Sequence, residues 1–377
     1  MHAAESTHPI GPRSISVVLA GGGTGGHLFP AVALGNAFAE RNAANRILFV
    51  GAGRPLEKEI LRRSGFLHRT LSIEGIKGRG GWSKIRAAMK IPGALLDSSR
   101  ILSQAKADIV VAVGGYASGP VAMAAWVKGI PMVVCEQNTL PGITNRMLFP
   151  FAKRVYCSFD DTRGRIHPDK KRVSGNPIRK DLVERGIEEE KNRPFTLLVV
   201  GGSQGARAIN RAVLDALPLL GKPEQLRFIH QTGASDQQRV KAAYEQRHMD
   251  AEVSDFFHDM ATCYSRSDLV ICRAGATTVA ELTALGKAAL FVPYPFAADD
   301  HQALNAKALV DAGAGEMVLE KDLNGKRLAA YIERLSENPV LLSEMAQRSR
   351  SFGKPDAAET IVEDCYQLLA AHHEGRS

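Results

Sequence analysis

The chain predicts an α/β protein of two doubly wound domains, each a mostly parallel sheet covered by helices, with a cleft between them. Three observations carry that prediction. First, short apolar runs recur between helix-length amphipathic stretches: Ile15–Ala20, Ile47–Gly51, Ile109–Gly114, Met132–Cys135, Thr196–Val200, Arg227–Gln231, Leu269–Cys272 and Ala289–Pro293. Strands covered on both faces read as such near-continuous runs, and their alternation with helices indicates βαβ units. Second, the start and the middle of the chain share one plan. SVVLAGGGTGGHLFPAVALGNAF from Ser16 and TLLVVGGSQGARAINRAVLDAL from Thr196 both run strand, glycine loop, helix, with Gly22 and Gly202 in equivalent places. Third, 377 residues fill about two domains of ~150–200 residues each. A charged segment from Arg179-Lys180-Asp181 through Glu188-Glu189-Glu190 to Pro194 reads as a linker. It places the domains at 1–180 and 181–377, with a last helix, about 356–372, that the architecture allows to cross back to the first domain.

Composition narrows the function. With 45% hydrophobic and 23% charged residues, disorder and fibrous repeats are excluded. The formal charge of +8 raises a polyanionic partner, and its distribution is uneven. Residues 1–180 carry 26 basic and 11 acidic side chains, whereas residues 181–377 carry 22 and 29. No helix-turn-helix pattern, RNP motif or zinc-finger spacing occurs, and aromatics are only 6%, so no nucleic-acid partner is expected. The five cysteines (Cys135, Cys157, Cys263, Cys272, Cys365) form no C-x-x-C pair, which points to a reducing compartment and to neither a disulfide framework nor a zinc site. The first apolar run is too short for a signal-peptide core, and no stretch approaches the ~18 consecutive apolar residues of a membrane span. Any membrane contact is therefore expected to be peripheral.

The glycine loops carry the chemistry. Gly21-Gly22-Gly23-Thr24-Gly25-Gly26 follows a strand and opens a helix, the context in which backbone N–H groups and a helix N-terminus receive phosphate or allow a sugar close approach. Tight strand-to-helix packing is the plainer alternative. A dinucleotide oxidoreductase needs an acidic residue at the end of the second strand, and Leu48-Phe49-Val50-Gly51-Ala52-Gly53 has none. The loop Gly201-Gly202-Ser203-Gln204-Gly205 is a second anion cradle; it lacks the G-K-[ST] of an ATPase. A third loop, Cys272-Arg273-Ala274-Gly275-Ala276-Thr277-Thr278, leads into a helix bearing Glu281. That carboxylate can accept hydrogen bonds from both hydroxyls of a ribose, or serve as a first-turn partner of the helix dipole.

With these residues in view, the chain resembles the MurG family of peptidoglycan N-acetylglucosaminyltransferases, which have the two-domain GT-B architecture of Rossmann-like halves. The resemblance rests on GGGTGGHLFPA, VGGYASGP, EQNTLPGITNR, SGNPIR, GGSQGAR, DFFHDM, CRAGATTVAEL and DDHQALNA, in that order along nearly the whole chain. It implies transfer of N-acetylglucosamine from UDP-N-acetylglucosamine to the 4-hydroxyl of N-acetylmuramoyl-pentapeptide on undecaprenyl diphosphate, with inversion at the anomeric carbon. It further implies that Ser203 and Arg179 face the donor diphosphate, with Gln204 beside them. Phe257 meets the uracil through its backbone, Ala276, Thr277 and Thr278 meet the diphosphate, and Glu281 meets the ribose. His301 and Gln302 contact sugar hydroxyls with Asn305 nearby, and Thr24, Gly25, Gly26 and Asn138 complete the site from the first domain. The family has variants with glutamine at the His301 position, and Thr277 stands where leucine is common.

An inverting transfer needs a proton acceptor and stabilisation of the leaving diphosphate. His27, on a glycine loop and titrating near neutrality, is the leading base, and Glu136 in Glu136-Gln137-Asn138 is its rival. An equal alternative makes His27 a neutral hydrogen-bond donor. Tyr116 shapes the acceptor side. No Asp-x-Asp occurs, so neither a metal nor another cofactor is expected, and Arg179 with helix N-termini must meet the diphosphate charge. Residues 75–106 mix cations with apolar side chains, among them Ile76, Lys77, Arg79, Trp82, Lys84, Ile85, Arg86, Met89 and Lys90. The segment suits an anionic membrane surface, as does Arg146–Arg154; a solvated amphipathic helix with a core stripe is the alternative. The expected location is the cytoplasmic face of the inner membrane. Competing activities on the same architecture are UDP-N-acetylglucosamine 2-epimerisation and transfer to another glycolipid, and the oligomeric state is left open.

Overall fold

A computed structural model describes residues 13–22, 25–73, 90–186, 193–202, 204–297 and 300–374. The first lobe is built from β1 (Ser16–Gly21), α1 (Gly25–Arg41), β2 (Arg46–Gly51), α2 (Pro55–Arg63), β3 (Leu67–Thr70), α3 (Ile91–Ala105), β4 (Ile109–Gly114), α4 (Ser118–Val127), β5 (Met132–Glu136), α5 (Ile143–Leu148), β6 (Arg154–Cys157) and β7 (Lys171–Val173). The second contains α6 (Lys180–Gly186), β8 (Phe195–Val200), α7 (Arg207–Ala216), β9 (Leu226–Gln231), α8 (Gln237–Glu245), β10 (Asp250–Ser254), α9 (Met260–Ser265), β11 (Leu269–Cys272), α10 (Ala276–Leu285), β12 (Ala288–Phe291), α11 (His301–Asp311), β13 (Glu316–Met317), α12 (Gly325–Ser336) and α13 (Pro339–Ser351). A final helix, α14, runs Ala357–Glu374.

The strands form a seven-stranded sheet, β3-β2-β1-β4-β5-β6-β7, and a six-stranded sheet, β10-β9-β8-β11-β12-β13. Every pairing in both is parallel. Successive strand side chains point to opposite faces, and both faces are filled. In β1, Val17 and Leu19 join a core with Phe38 of α1, while Val18 and Ala20 join one with Leu102 of α3 and Val121 of α4. Likewise Leu197 and Val199 of β8 pack with Ile209 of α7 and Leu328 of α12, and Leu198 and Val200 pack with Val279 of α10 and Leu309 of α11. This double burial is why the apolar runs were continuous.

One stretch departs from the sequence reading, and the last helix makes the crossing that reading allowed. The segment expected as a linker begins as the helix α6, whose Leu182 is fully buried in the second lobe's core. The helix α14 lies in the first lobe's core through Ala358, Ile361, Val362, Cys365 and Leu369, although the chain reaches it from α13. Tyr156 of β6 donates a hydrogen bond to Asp364 of α14 at 2.6 Å, which fixes the crossing. Among the described residues, no helix is long and apolar enough to cross a membrane.

Candidate active site

In each sheet the strand order reverses once, between β1 and β4 and between β8 and β11. Helices leave such a pair toward opposite faces, opening a crevice at the carboxyl ends of the strands. All three glycine loops sit at these two points. In the first lobe Gly21 pairs with Gly114. Gly114 has φ +95°, and a Cβ there would lie 2.7 Å from His27 Cδ2; Gly115 has φ +86°, and a Cβ would lie 2.4 Å from the Gly22 carbonyl oxygen. Only glycines let the β4 turn close on the first loop and leave a slot for the imidazole. His27 is partly buried near the start of α1. Burial, and then the charge of His301 from the opposite lobe, lower its pKa to about 4. Its ring is therefore neutral at pH 7.

Glu136 ends β5 with 2% exposure. Its Oε1 accepts from the backbone N–H of Asn138 at 3.0 Å and from Asn138 Nδ2 at 3.4 Å. Its Oε2 accepts from the Gly142 N–H at 3.2 Å and from Asn145 Nδ2 at 2.8 Å. Burial raises the carboxyl's pKa while these bonds oppose the rise. The carboxylate thus faces inward and braces the 137–145 loop, a different placement from that of a base open to a reacting hydroxyl. Tyr116, just beyond β4, is 38% exposed.

In the second lobe Gln231, at the end of β9, donates from Nε2 to the Gly202 carbonyl at 3.0 Å and accepts the Phe257 N–H at 2.9 Å. One buried amide thereby fixes the β8 loop against the loop before α9. Phe257, expected to meet the uracil through its backbone, has its N–H already bonded, which leaves its carbonyl as the backbone group for that contact. Ser203 and Thr24 lie outside the described residues, and Gln204 is exposed.

Gly275 precedes α10 as its N-cap, with Ala276, Thr277 and Thr278 in the first turn. Glu281 falls in the second turn, so the first-turn dipole role considered for it does not apply. Tyr264 donates to Glu281 Oε2 at 2.9 Å. Burial pushes the Glu281 carboxyl up to about 7, with Tyr264 and the positive charge of Arg179 pulling it back. Arg179, immediately before α6, is thereby placed within electrostatic reach of Glu281.

His301 and Gln302 begin α11. Gln302 Oε1 accepts the Tyr294 N–H at 3.0 Å. Arg273 donates to the carbonyls of Val292 and Pro293, pairs with Glu320 and stacks over the Tyr294 ring. These contacts hold the β12 exit loop in place. The two lobes meet directly: Thr277 Oγ1 donates to the Gly26 carbonyl at 3.4 Å. Asn305, expected near sugar hydroxyls, is 0% exposed and bonded to Asn138, Thr139 and Ala274. Gln231, Tyr264 and Arg273 had no role in the sequence reading. Gln231 had one signal, a polar residue ending an apolar strand at its carboxyl edge; the other two act through tertiary contacts that no spacing reveals.

The first part of the membrane segment, residues 75–89, lies outside the described residues, including Ile76, Lys77, Arg79, Trp82, Lys84, Ile85, Arg86 and Met89; Lys90 is described, and the remainder forms α3. In the second basic stretch, Leu148 and Phe149 are core residues, while Met147 is 68% exposed. Leu148, Phe149 and Ala152 thus belong to the core, while Arg146 and Met147 lie at the surface.

Residues 17–157 match the glycosyltransferase family 28 N-terminal domain, and residues 196–361 match the glycosyltransferase family 28 C-terminal domain. A protein of Syntrophus aciditrophicus named UDP-N-acetylglucosamine–N-acetylmuramyl-(pentapeptide) pyrophosphoryl-undecaprenol N-acetylglucosamine transferase is 47% identical, over 94% of this chain and 99% of its own. A protein of the same name from Myxococcus xanthus is 43% identical, over 94% of this chain and 93% of its own. Among solved structures, Acinetobacter baumannii MurG superposes with a TM-score of 0.75 at 33% identity, covering 94% of this chain and 99% of that one. The Neisseria meningitidis UDP-GlcNAc 2-epimerase bound to UDP-GlcNAc gives a TM-score of 0.68 at 16% identity, covering 94% and 100%, a likeness of fold alone. With two facing Rossmann-like lobes, glycine loops at both switch points and relatives alike over nearly their whole length, the chain belongs to the MurG family of GT-B glycosyltransferases.

Proposed function

We propose that this protein transfers N-acetylglucosamine from UDP-N-acetylglucosamine to the 4-hydroxyl of undecaprenyl-diphosphate-linked N-acetylmuramoyl-pentapeptide, inverting the anomeric carbon. The carrying observation is a cleft with glycine loops on both walls in a chain 47% identical to a transferase of that name.

The residues divide the work by lobe. On the second lobe, Ser203, Gln204 and the first turn of α10, with Ala276, Thr277 and Thr278, receive the diphosphate. Arg179 supplies the countercharge as the sugar–phosphate bond breaks and negative charge collects on UDP. Glu281, ionised, accepts the ribose hydroxyls; Phe257 offers its carbonyl to the uracil. His301 and Gln302 reach the sugar from the start of α11. Thr24, Gly25, Gly26 and Asn138 close on it from the first lobe.

His27 is the base. Its neutral ring accepts the proton of the acceptor hydroxyl as the oxygen attacks C1 from the side opposite the departing UDP. Glu136 supports the reaction indirectly, by holding Asn138. Tyr116 lines the acceptor side.

The enzyme works at the cytoplasmic face of the membrane as a peripheral protein. Its first 180 residues carry the excess of cations. Helices α3, α4 and α5 expose Leu96, Trp126, Val127, Ile143 and Met147 on the side of the sheet that they share. Apolar tips flanked by Lys90, Arg100, Lys128 and Arg146 suit a head-group boundary with anionic lipid. The test is transfer of labelled sugar to the polyprenyl-linked acceptor in anionic and in neutral vesicles. The expected result is acceptor-dependent disaccharide lipid, formed faster on the anionic vesicles at low salt; no acceptor dependence refutes the activity, and equal rates refute the membrane reading.

A further inference from the structure

We propose that Asn305 is a positioning residue that latches the two lobes in the closed arrangement and fixes Asn138 for the donor sugar, without touching the sugar itself. The latch rests on the transferase reading for what it positions, and on the hydrogen bonds alone for its existence.

Asn305 lies on α11, one turn beyond His301. Its Oδ1 accepts the backbone N–H of Thr139, in the first lobe, at 3.2 Å. Its Nδ2 donates to the backbone carbonyl of Ala274, in the second lobe, at 3.3 Å. A backbone N–H can only donate and a backbone carbonyl can only accept, so these two partners fix which end of the amide is which. The same Nδ2 donates to Asn138 Oδ1 at 3.2 Å. Asn138 is then oriented as well: its Nδ2 faces Glu136 Oε1 at 3.4 Å. A directed chain therefore runs from the Ala274 loop, through Asn305 and Asn138, to the buried carboxylate of Glu136.

Burial gives the chain its consequence. Asn305 is 0% exposed, which removes it from direct contact with a ligand in this arrangement. Opening the cleft by even a small rotation strips Thr139 and Asn138 from it, leaving polar groups that only water or reclosure can satisfy. Closure is thereby favoured. It also carries the second N–H of the Asn138 amide, and the Gly26 carbonyl that Thr277 contacts, to fixed places on the donor side.

The test uses the full chain with probe pairs on exposed positions of the two lobes, comparing interlobe distances in the parent, Asn305→Ala, Asn138→Ala and the double variant, with and without UDP. UDP lacks the sugar and is held on the second lobe. A latch predicts longer or broader interlobe distances in both single variants, UDP affinity within about twofold of the parent, and a lowered kcat. The double variant should be no worse than the poorer single, because both remove one connection; independent sites would multiply. Unchanged distances with multiplicative kinetic losses overturn the proposal and return Asn305 to the role of a sugar contact. Circular dichroism and melting confirm folding, and Asn138→Ala keeps the test alive if the cavity left at Asn305 unfolds the chain. Because distances and UDP binding need no acceptor, they stand even if the sugar transfer itself is not found.

Discussion

His27 and Glu281 are the residues whose environments most change their chemistry. For His27, burial and His301 disfavour the imidazolium, so the base form persists far below neutrality. The acidic limb of kcat/KM for the acceptor, measured at saturating donor so that Glu281 stays ionised, is therefore expected near pH 4 rather than near 6.5. Replacing His301→Asn removes one of the two causes and moves that limb upward, whereas His27→Ala abolishes the limb along with most of the rate. A pH–rate profile of the three proteins checks this; a limb unmoved by His27→Ala assigns the proton elsewhere. Glu281 works in the opposite sense. With its free-enzyme pKa at about 7, the proposed ribose contact, which needs the carboxylate, is expected to strengthen as pH rises through that value and to level above it. The folded state also holds this proton more tightly than the unfolded state does. Stability is thus lost as pH rises from the usual carboxyl value of 4.5 to about 7. Glu281→Gln should flatten both dependences, measured by UDP titration and by melting across that range; an unaltered pH dependence of UDP binding contradicts the ribose role.

At the scale of elements, α14 belongs to the lobe that the chain had left. Ile361 is 0% exposed among side chains of β1, α1 and β6. Ile361→Ala should cost about 2–5 kcal/mol, seen as a lower midpoint in denaturant; a change of only a few tenths would mean that the helix merely rests on the surface. The elements legible in the sequence are those that tertiary burial forces to be apolar. All eight strands read from apolar runs are present within a residue or two, because each lies where helices cover both faces. The unread strands are β3, β6, β7, β10 and β13, with sequences such as LHRT, KRV and DAEVS. Four of them are sheet edges, and β6 adjoins an edge. Half-solvated strands tolerate charge and carry little periodic signal. The site divides in the same way. Glycine loops announce themselves because backbone geometry demands glycine. The brace of Glu136 and the latch of Asn305 depend on which loop meets which, information held in the fold and not in any local spacing.

For the whole molecule, the two lobes solve different problems with opposite charge. Residues 1–180, with 26 cations against 11 anions, are suited to an anionic surface and a diphosphate lipid. In the proposed reading, residues 181–377, with 22 against 29, hold an anionic nucleotide despite their net charge. They would rely on Arg179 from the junction and on the backbone dipoles of α10. The cleft joins them only when closed, which is where Thr277, Asn305, Asn138 and His27 come together. The most direct test of the account is the fate of the labelled sugar from UDP-N-acetylglucosamine with and without polyprenyl-diphosphate-linked muramoyl-pentapeptide. The account predicts a β-linked disaccharide lipid and free UDP, formed only when the acceptor is present. Acceptor-independent isomerisation of the sugar nucleotide, with no lipid product, would contradict it.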